Sequence, residues 1–457
     1  MIAELTREKA KKTPPIRTIV YSFVVVILIG TILLTLPFSS NGERVSILDS
    51  AFTATSATCV TGLSLFDTYS TFSFFGQAVI LLLIQVGGLG FATFATAFTL
   101  LMRKKLGFRN LIVYSESAGT NGLDIISLLK VVIIVTFSCE LIGALLLMIR
   151  LVPLYGALGA WASCFVSISA FCNAGFDVLG FIEGNSSASA FVADPLFSLT
   201  ISALIFIGSL GFLVIQDIFV HKVLYKIEKK PYFKLSFHSQ ICLRISAILL
   251  LVGALGFFVL EYNNTMKDLN VFEKIIASIF QSVNTRTAGF ASVDIGAQND
   301  ITKLLTIFLM FIGGSPGSTA GGIKVTTFVV IASTIVSTMR SREDVVFLSC
   351  RFAKKTVYKA ITVMFLALIV VVIDLIVLNF FNPIGNTLDT LFESVSAFAT
   401  VGLSTGVTAD LNIIGKIVII ITMFLGRVGP ASFGIAILLK GSKRGETIYP
   451  EGRMLIG

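Results

Sequence analysis

Charge is what this sequence has little of. Only 13% of its 457 residues are charged, against 55% hydrophobic, where a soluble domain carries roughly 25% charged residues. That excludes a soluble globular chain and points to an integral membrane protein. Histidine is nearly absent: His221 and His238 are the two, and neither has a partner motif. The six cysteines, Cys59, Cys139, Cys164, Cys172, Cys242 and Cys350, are scattered without a CxxC pair or a metal-ligand spacing. They read as buried, inert thiols. There is no GK[ST] and no clustered His/Asp/Glu set, so the chain is not expected to be an enzyme.

What is there instead is long apolar sequence. Stretches near 20 residues run at 17–37, 76–102, 128–150, 196–220, 241–261, 303–338 (interrupted), 358–381 and 413–439, each long enough for a bilayer core of about 30 Å. An outer-membrane barrel would show much shorter, alternating segments. The expected fold is therefore all-α with eight spanning helices. The N-terminal MIAELTREKAKKTPPIR does not read as a cleavable signal, because the apolar run after it is too long and no small-residue cleavage site follows. It reads as a cytoplasmic tail leading into the first span, with Pro14 and Pro15 at its start. The 40 phenylalanines read as packing and lipid-facing material.

The formal charge of +9 could suggest a nucleic-acid partner, but its distribution is a topology signal. Lys and Arg gather in RKKLGFRN (103–110), HKVLYKIEKKPYFK (221–234), MRSREDVVFLSCRFAKK (339–355) and KGSKRGE (440–446). The segments 151–195 and 379–415 contain neither, and hold Asp177, Glu183, Asp194, Asp389, Glu393 and Asp410. Basic loops face the cytoplasm, which puts both termini on the cytoplasmic side of the cell (plasma) membrane; no nucleic-acid partner is expected.

Four windows share one shape: SATCVTGLS (56–64), SAFCNAGFD (169–177), VNTRTAGFA (283–291) and SAFATVGLS (396–404). The seventh residue of each is glycine. Gly62, Gly175, Gly289 and Gly402 stand 113, 114 and 113 residues apart, a period that marks an internal repeat over the whole chain. The four units are 1–110, 111–235, 236–355 and 356–457. Each holds two spans with a short segment between them, so every copy starts on the same side, and the copies surround one axis along the membrane normal. Inverted-repeat transporters have an in-plane axis instead.

The segment before each glycine is too short to span. Residues 271–284 and 388–399 are apolar and only 12 to 14 long, a length suited to a re-entrant helix. Asn270 with Glu273 reads as a capping box, and Asn386 precedes Asp389. Such a helix ends inside the membrane with partial negative charge at its C-terminus, which favours a cation. The chain then turns back with its carbonyls exposed, tolerable at that depth only inside protein or beside water. Glycine permits the unusual dihedrals and close approach. Four such turns around one axis form a cation filter in which carbonyl oxygens replace the hydration shell. A single copy could equally be a small-residue helix contact. The filter residues are Cys59, Val60, Thr61 and Gly62; Cys172, Asn173, Ala174 and Gly175; Arg286, Thr287, Ala288 and Gly289; and Ala399, Thr400, Val401 and Gly402.

The motifs CVTGL (59–63), NAGF (173–176), RTAGF (286–290) and TVGL (400–403), with QVGGLGF (85–91), GGSPGSTAGGIK (313–324), GRVGP (426–430) and YPEGRMLIG (449–457), resemble those of the Ktr/Trk/HKT superfamily of cation transporters. The resemblance covers essentially the full length. It is closest to the bacterial KtrB-type membrane subunits, because the extra N-terminal hairpin usual in Trk-type members is missing. It implies four helix–pore helix–helix repeats around a pseudo-four-fold pore that carries K+. Some plant relatives have serine at the first filter glycine and prefer sodium, whereas all four positions here are glycine. The resemblance also implies a homodimer, a cytosolic nucleotide-sensing RCK-type ring (KtrA-like, with ATP/ADP or NAD) and frequent stimulation by Na+. No residue in the sequence marks a sodium site. The basic loops are the plausible dock for the ring, and YPEGRMLIG resembles a dimer-contact tail.

The stretch GGSPGSTAGGIK, with Pro316 and five glycines, cannot stay a regular lipid-facing helix. It lacks the GK[ST] of a phosphate-binding loop. A simple kink is one reading. The resemblance implies an intramembrane gate made of Gly313, Gly314, Ser315, Pro316, Gly317, Ser318, Thr319, Ala320, Gly321 and Gly322. Arg427, midway along the last span, is a costly buried cation and functional by default. The resemblance places it near the pore below the filter. The alternative is an ion pair with Glu140 or Asp217. Lys324 reads as structural. Arg286 is expected to point away from the axis and to clamp neighbouring carbonyls or Glu393. A coupled secondary transporter of another cation or solute is the competing function. The even number of spans per repeat argues against it.

Overall fold

A computed structural model describes residues 15–90, 125–182, 188–219, 235–383 and 385–429. Grouped by the four repeats expected from the sequence, the first contributes helices α1 (Pro15–Thr35), α2 (Ile47–Cys59) and α3 (Phe74–Leu89). The second contributes α4 (Ile125–Cys172) and α5 (Pro195–Leu210), the third α6 (Phe237–Glu261), α7 (Val271–Asn284), α8 (Asp300–Phe311) and α9 (Val325–Met339). The fourth contributes α10 (Lys354–Phe381), α11 (Thr387–Ala399) and α12 (Ile413–Val428). A small hairpin, β1 (Val346–Phe347) with β2 (Cys350–Arg351), departs from the all-α expectation. The expected boundary at 355/356 falls in the first turn of α10.

By length and composition, four helices among the described residues are apolar enough to cross a membrane alone: Arg17–Thr35, Leu128–Cys172, Phe237–Glu261 and Lys354–Phe381. Their outer faces carry exposed large apolar side chains, among them Leu28, Leu141, Leu255 and Phe365, a surface that suits lipid and not water. The 48-residue α4 is two helices in one, because Gly156 adopts φ 57°, ψ −128° and breaks it after Pro153. The part beyond Gly156 is the second repeat's short helix.

The second helix of each repeat differs from the expectation of one continuous span. Only the third was expected to be interrupted. In the structure α3 stops at Gly90 (φ 77°), α5 at Gly211 (φ 90°) and α12 at Gly429 (φ 87°). After Gly211 the helix resumes at 212–219, bent by 93°. In the third repeat the same place is occupied by the loop between α8 and α9. Hydropathy alone does not register such breaks, since a glycine counts as neutral within an apolar run.

The short helices are the heart of the packing and bury Phe52, Phe165, Phe280 and Phe392. Each is also touched by the second helix of the preceding repeat: α3 lies against α4, α5 against α7, α8 against α11, and α12 returns to α2. The circuit is closed. Polar clasps hold three of these contacts. Trp161 Nε1 donates to Gln77 Oε1 at 2.8 Å, Lys303 Nζ meets Asp389 Oδ1 at 2.8 Å, and Lys416 Nζ meets Asp49 Oδ1 at 2.6 Å. Asp389 therefore serves as an ion-pair partner, and Asn386 makes no side-chain cap to α11. Glu273 does accept from the Asn270 N–H at 2.8 Å, as the capping-box reading expected. Cys59, Cys172 and Cys242 are buried, while Cys350, in the hairpin, is exposed.

Candidate functional site

The last turns of the four short helices converge, and each passes directly into its glycine segment. Three of them close with the same hydrogen-bond pattern. Thr61 N–H donates to Ser56 O at 2.8 Å, Ala174 N–H to Ser169 O at 2.8 Å and Val401 N–H to Ser396 O at 2.9 Å. This is the pairing that ends a helix through one left-handed residue, usually glycine. Here that residue is Val60 (φ 57°), Asn173 (φ 59°) or Thr400 (φ 51°). In the third repeat Thr287 (φ 67°) has the left-handed conformation instead. All four lie two residues before the glycine. β-Branched residues at positive φ are genuine outliers, and strain of this kind gathers at functional sites.

The serine that recurs six residues before the glycine has a task that its sequence position only hinted at. Gly62 N–H donates to Ser56 Oγ at 3.1 Å, and Gly402 N–H to Ser396 Oγ at 3.2 Å. Ser169 Oγ has no such partner. The third repeat lacks the serine and ties its segment with Asn284, whose Oδ1 accepts from Phe290 N–H at 2.9 Å.

The four glycines form a ring, all at positive φ (93°, 68°, 79° and 90°). A Cβ on Gly62 would lie 2.6 Å from Ala174 O, one on Gly175 2.6 Å from Ala288 O, and one on Gly289 2.5 Å from Val401 O. A Cβ on Gly402 would overlap Thr61 O. Each glycine thus abuts the carbonyl that precedes the next repeat's glycine, in the order one to four and back to one. The residue between each left-handed pair (Thr61, Ala174, Ala288 or Val401) is not at positive φ, so the hand alternates along each segment. The hydroxyls of Thr61, Thr287 and Thr400 find no hydrogen-bond partner among the described residues.

On the glycine side of the ring opens a cavity of ≈ 570 Å³, lined by all four glycines and by Asp67 and Asp177. On the helix side lies the loop 313–322. Gly321 and Gly322 press against Ala399 and Thr400, and the Thr319 hydroxyl lies 3.2 Å from Phe171 O and 3.1 Å from Asn173 Oδ1. The loop is braced against the break in the second repeat: Ser315 N–H donates to Ser209 O at 3.0 Å and Phe212 N–H to Gly317 O at 2.9 Å.

Three cations hold this assembly. Arg427 donates to Thr319 O, to Gly87 O at 2.5 Å and to Gly88 O at 3.2 Å, so carbonyls are its partners. Glu140, one of its two candidate ion-pair partners, accepts from Gln85 instead, at 3.0 Å. Arg286 leaves its glycine segment and donates to Ser246 O at 3.1 Å and Gly313 O at 3.3 Å. It clamps carbonyls, as expected, but not Glu393, which accepts from Ser404 at 2.9 Å and from Thr408. Lys324 folds back onto Ala320 O at 2.7 Å and closes the loop. His221, the basic stretches 103–110, 221–234 and 440–446, and YPEGRMLIG lie outside the described residues.

The chain is similar to known proteins along nearly all of its length. Residues 6–442 match the family model of TrkH, a cation transport protein. The chain is 37% identical to the Ktr system potassium uptake protein B of Bacillus subtilis, over 97% of each. It is 36% identical to the potassium/sodium uptake protein NtpJ of Enterococcus hirae, over 98% of each. Among solved structures, the potassium transporter TrkH from Vibrio parahaemolyticus superposes with a TM-score of 0.70 at 19% identity, covering 94% of this chain and 86% of that one.

Proposed function

The chain belongs to the TrkH family of cation transport proteins, and from that premise we propose that it is the potassium-translocating membrane subunit of an uptake system. The glycine ring is its selectivity filter and the loop 313–322 its gate. The observation that carries this reading is the closed circuit in which each filter glycine abuts the next repeat's carbonyl. An ion crossing the membrane must shed water, and a ring of carbonyls held by rigid helix ends offers oxygens in exchange. Four converging helix C-termini, each with about half a negative charge, favour a cation there. The carboxylates of Asp67 and Asp177 in the outer cavity raise the local cation concentration.

In this reading the ion passes from the outer cavity through the ring to the loop. The loop closes the inner end, and Arg427 pins it by Thr319 O. Eight spans across the plasma membrane around a four-fold pore, with both termini cytoplasmic, complete the architecture. The chain works as a homodimer with a cytosolic RCK-type ring that moves the gate. In the same reading Na+ stimulates uptake.

The test is cation flux into proteoliposomes holding the purified chain, with K+ and Na+ offered separately. Potassium preference is expected, and shortening 313–322 should raise the flux several-fold. Equal flux of both ions overturns the filter assignment. Unchanged or lower flux from a folded, loop-shortened protein overturns the gate assignment.

A further inference from the structure

The filter and the gate loop are joined by one side chain. Asn173 is fully buried and left-handed, two residues before Gly175. Its Nδ2 donates to Arg286 O, in the third filter segment, at 3.2 Å, and its Oδ1 faces the Thr319 hydroxyl of the loop at 3.1 Å. The Arg286 carbonyl can only accept, so it takes the amide nitrogen and leaves the amide oxygen for the Thr319 hydroxyl, which Phe171 O also faces at 3.2 Å. The other three repeats have Val60, Thr287 and Thr400 at this place, and the hydroxyls of Thr287 and Thr400 have no partner among the described residues.

Thr319 is the matching junction on the loop. Its N–H donates to Gly208 O at 3.3 Å and its carbonyl accepts from Arg427. Space for the junction comes from Gly208 of α5. A Cβ there would overlap Phe171 O and stand 2.9 Å from Asn173 Oδ1 and 3.0 Å from Thr319 Oγ1.

We propose that the Asn173–Thr319 hydrogen bond couples the gate to the filter, so that release of the loop and loosening of the second filter segment are one event. The inference rests on the filter and gate assignments above. Asn173 is a positioning residue. Its left-handed backbone is held in part by two side-chain contacts, and one of them belongs to the part that moves. When the loop leaves, the segment carrying Ala174 O and Gly175 loses an anchor, and the ring admits ions less selectively while the gate is open.

The experiment compares full-length native chain with Thr319→Val and Thr319→Ser in proteoliposomes, reading both maximal K+ flux and the K+/Na+ flux ratio. Valine keeps the shape and removes the hydroxyl. We expect higher flux together with a ratio lowered about five-fold, the factor for one buried neutral hydrogen bond, and rescue of both by serine. Higher flux with an unchanged ratio overturns the coupling and leaves the gate reading intact. A changed ratio without a change in flux overturns the coupling and counts against the gate reading as well. No change in either overturns the coupling, and the loop-shortened protein then reports on the gate by itself. If the valine variant does not fold, Thr319→Cys, with its weak donor, takes its place. It must show the same paired change in smaller measure, and a change in flux alone overturns the proposal.

Discussion

Gly402→Ser is the sharpest probe of the ring. Gly402 has φ 90°, and an L-residue in that region costs roughly 1–2 kcal/mol. Its Cβ would also overlap Thr61 O and lie 2.9 Å from Gly62 Cα and 3.0 Å from Gly62 C. All three atoms are backbone, so no rotamer change relieves the contact, and overpacking of this kind costs about 1–3 kcal/mol more. The ring must open between the fourth and first repeats to accommodate it. Only the intrusion acts on the ring, and its share of about 1–3 kcal/mol brackets the 1.4 kcal/mol that separates affinities tenfold. The K+/Na+ flux ratio in proteoliposomes should therefore fall about tenfold while the protein stays monodisperse. Gly406→Ser is the control. Gly406 has φ 106°, yet a Cβ there meets nothing within 4 Å, so it carries the backbone strain without the intrusion. Its flux ratio should stay native. A native ratio in Gly402→Ser, or an equal loss in Gly406→Ser, would refute the reasoning.

Further outcomes are expected from the same geometry. Arg427→Gln removes the fork that joins Thr319 O to Gly87 O and Gly88 O, and should raise potassium flux several-fold with a modest loss of thermal stability; lost expression without altered flux in the surviving protein would mean that Arg427 is structural. Lys416→Met breaks the clasp to Asp49 between the fourth and first repeats. It should lower stability by about 1–3 kcal/mol, less than a fully buried pair because the groups are partly exposed, and leave selectivity unchanged, as thermal unfolding alongside flux would show. Ser396→Ala leaves the part-buried Gly402 N–H without its acceptor, a loss of about 1 kcal/mol, and should weaken selectivity. Ser169→Ala should be near neutral, since Ser169 Oγ has no partner among the described residues. Equal effects of the two alanines would dissociate the serine hydroxyl from the filter.

Much of this protein is legible in its sequence, for physical reasons. Apolar runs with few charges mean membrane helices in any context, because an uncompensated charge in lipid is costly. Four glycines at a constant period mean a repeated local conformation, because a turn that needs positive φ selects glycine wherever it recurs. The loop at 313–322 is equally local: proline and five glycines cannot hold a helix. Two local features escaped this reading although signals for them exist. The serine six residues before the glycine recurs in three of the four windows, and Gly208-Ser209-Leu210-Gly211 repeats the spacing of Gly87 with Gly90 and of Gly426 with Gly429.

The rest was decided by tertiary packing. That α12 returns to α2 and closes the circuit depends on contacts between residues some 370 positions apart, as in Lys416 with Asp49, and no local pattern encodes them. Three left-handed residues in the ring are Val60, Thr287 and Thr400. Intrinsic preference argues against that conformation, and surrounding contacts override it. Arg286 could have met Glu393 or a carbonyl. It reaches Ser246 O and Gly313 O because α6 and the start of the loop enclose it, while Ser404 and Thr408 already hold Glu393. Composition and period determined which residues form the turns. Only the packed structure decided which carbonyl each glycine faces, because that depends on how four separate segments meet.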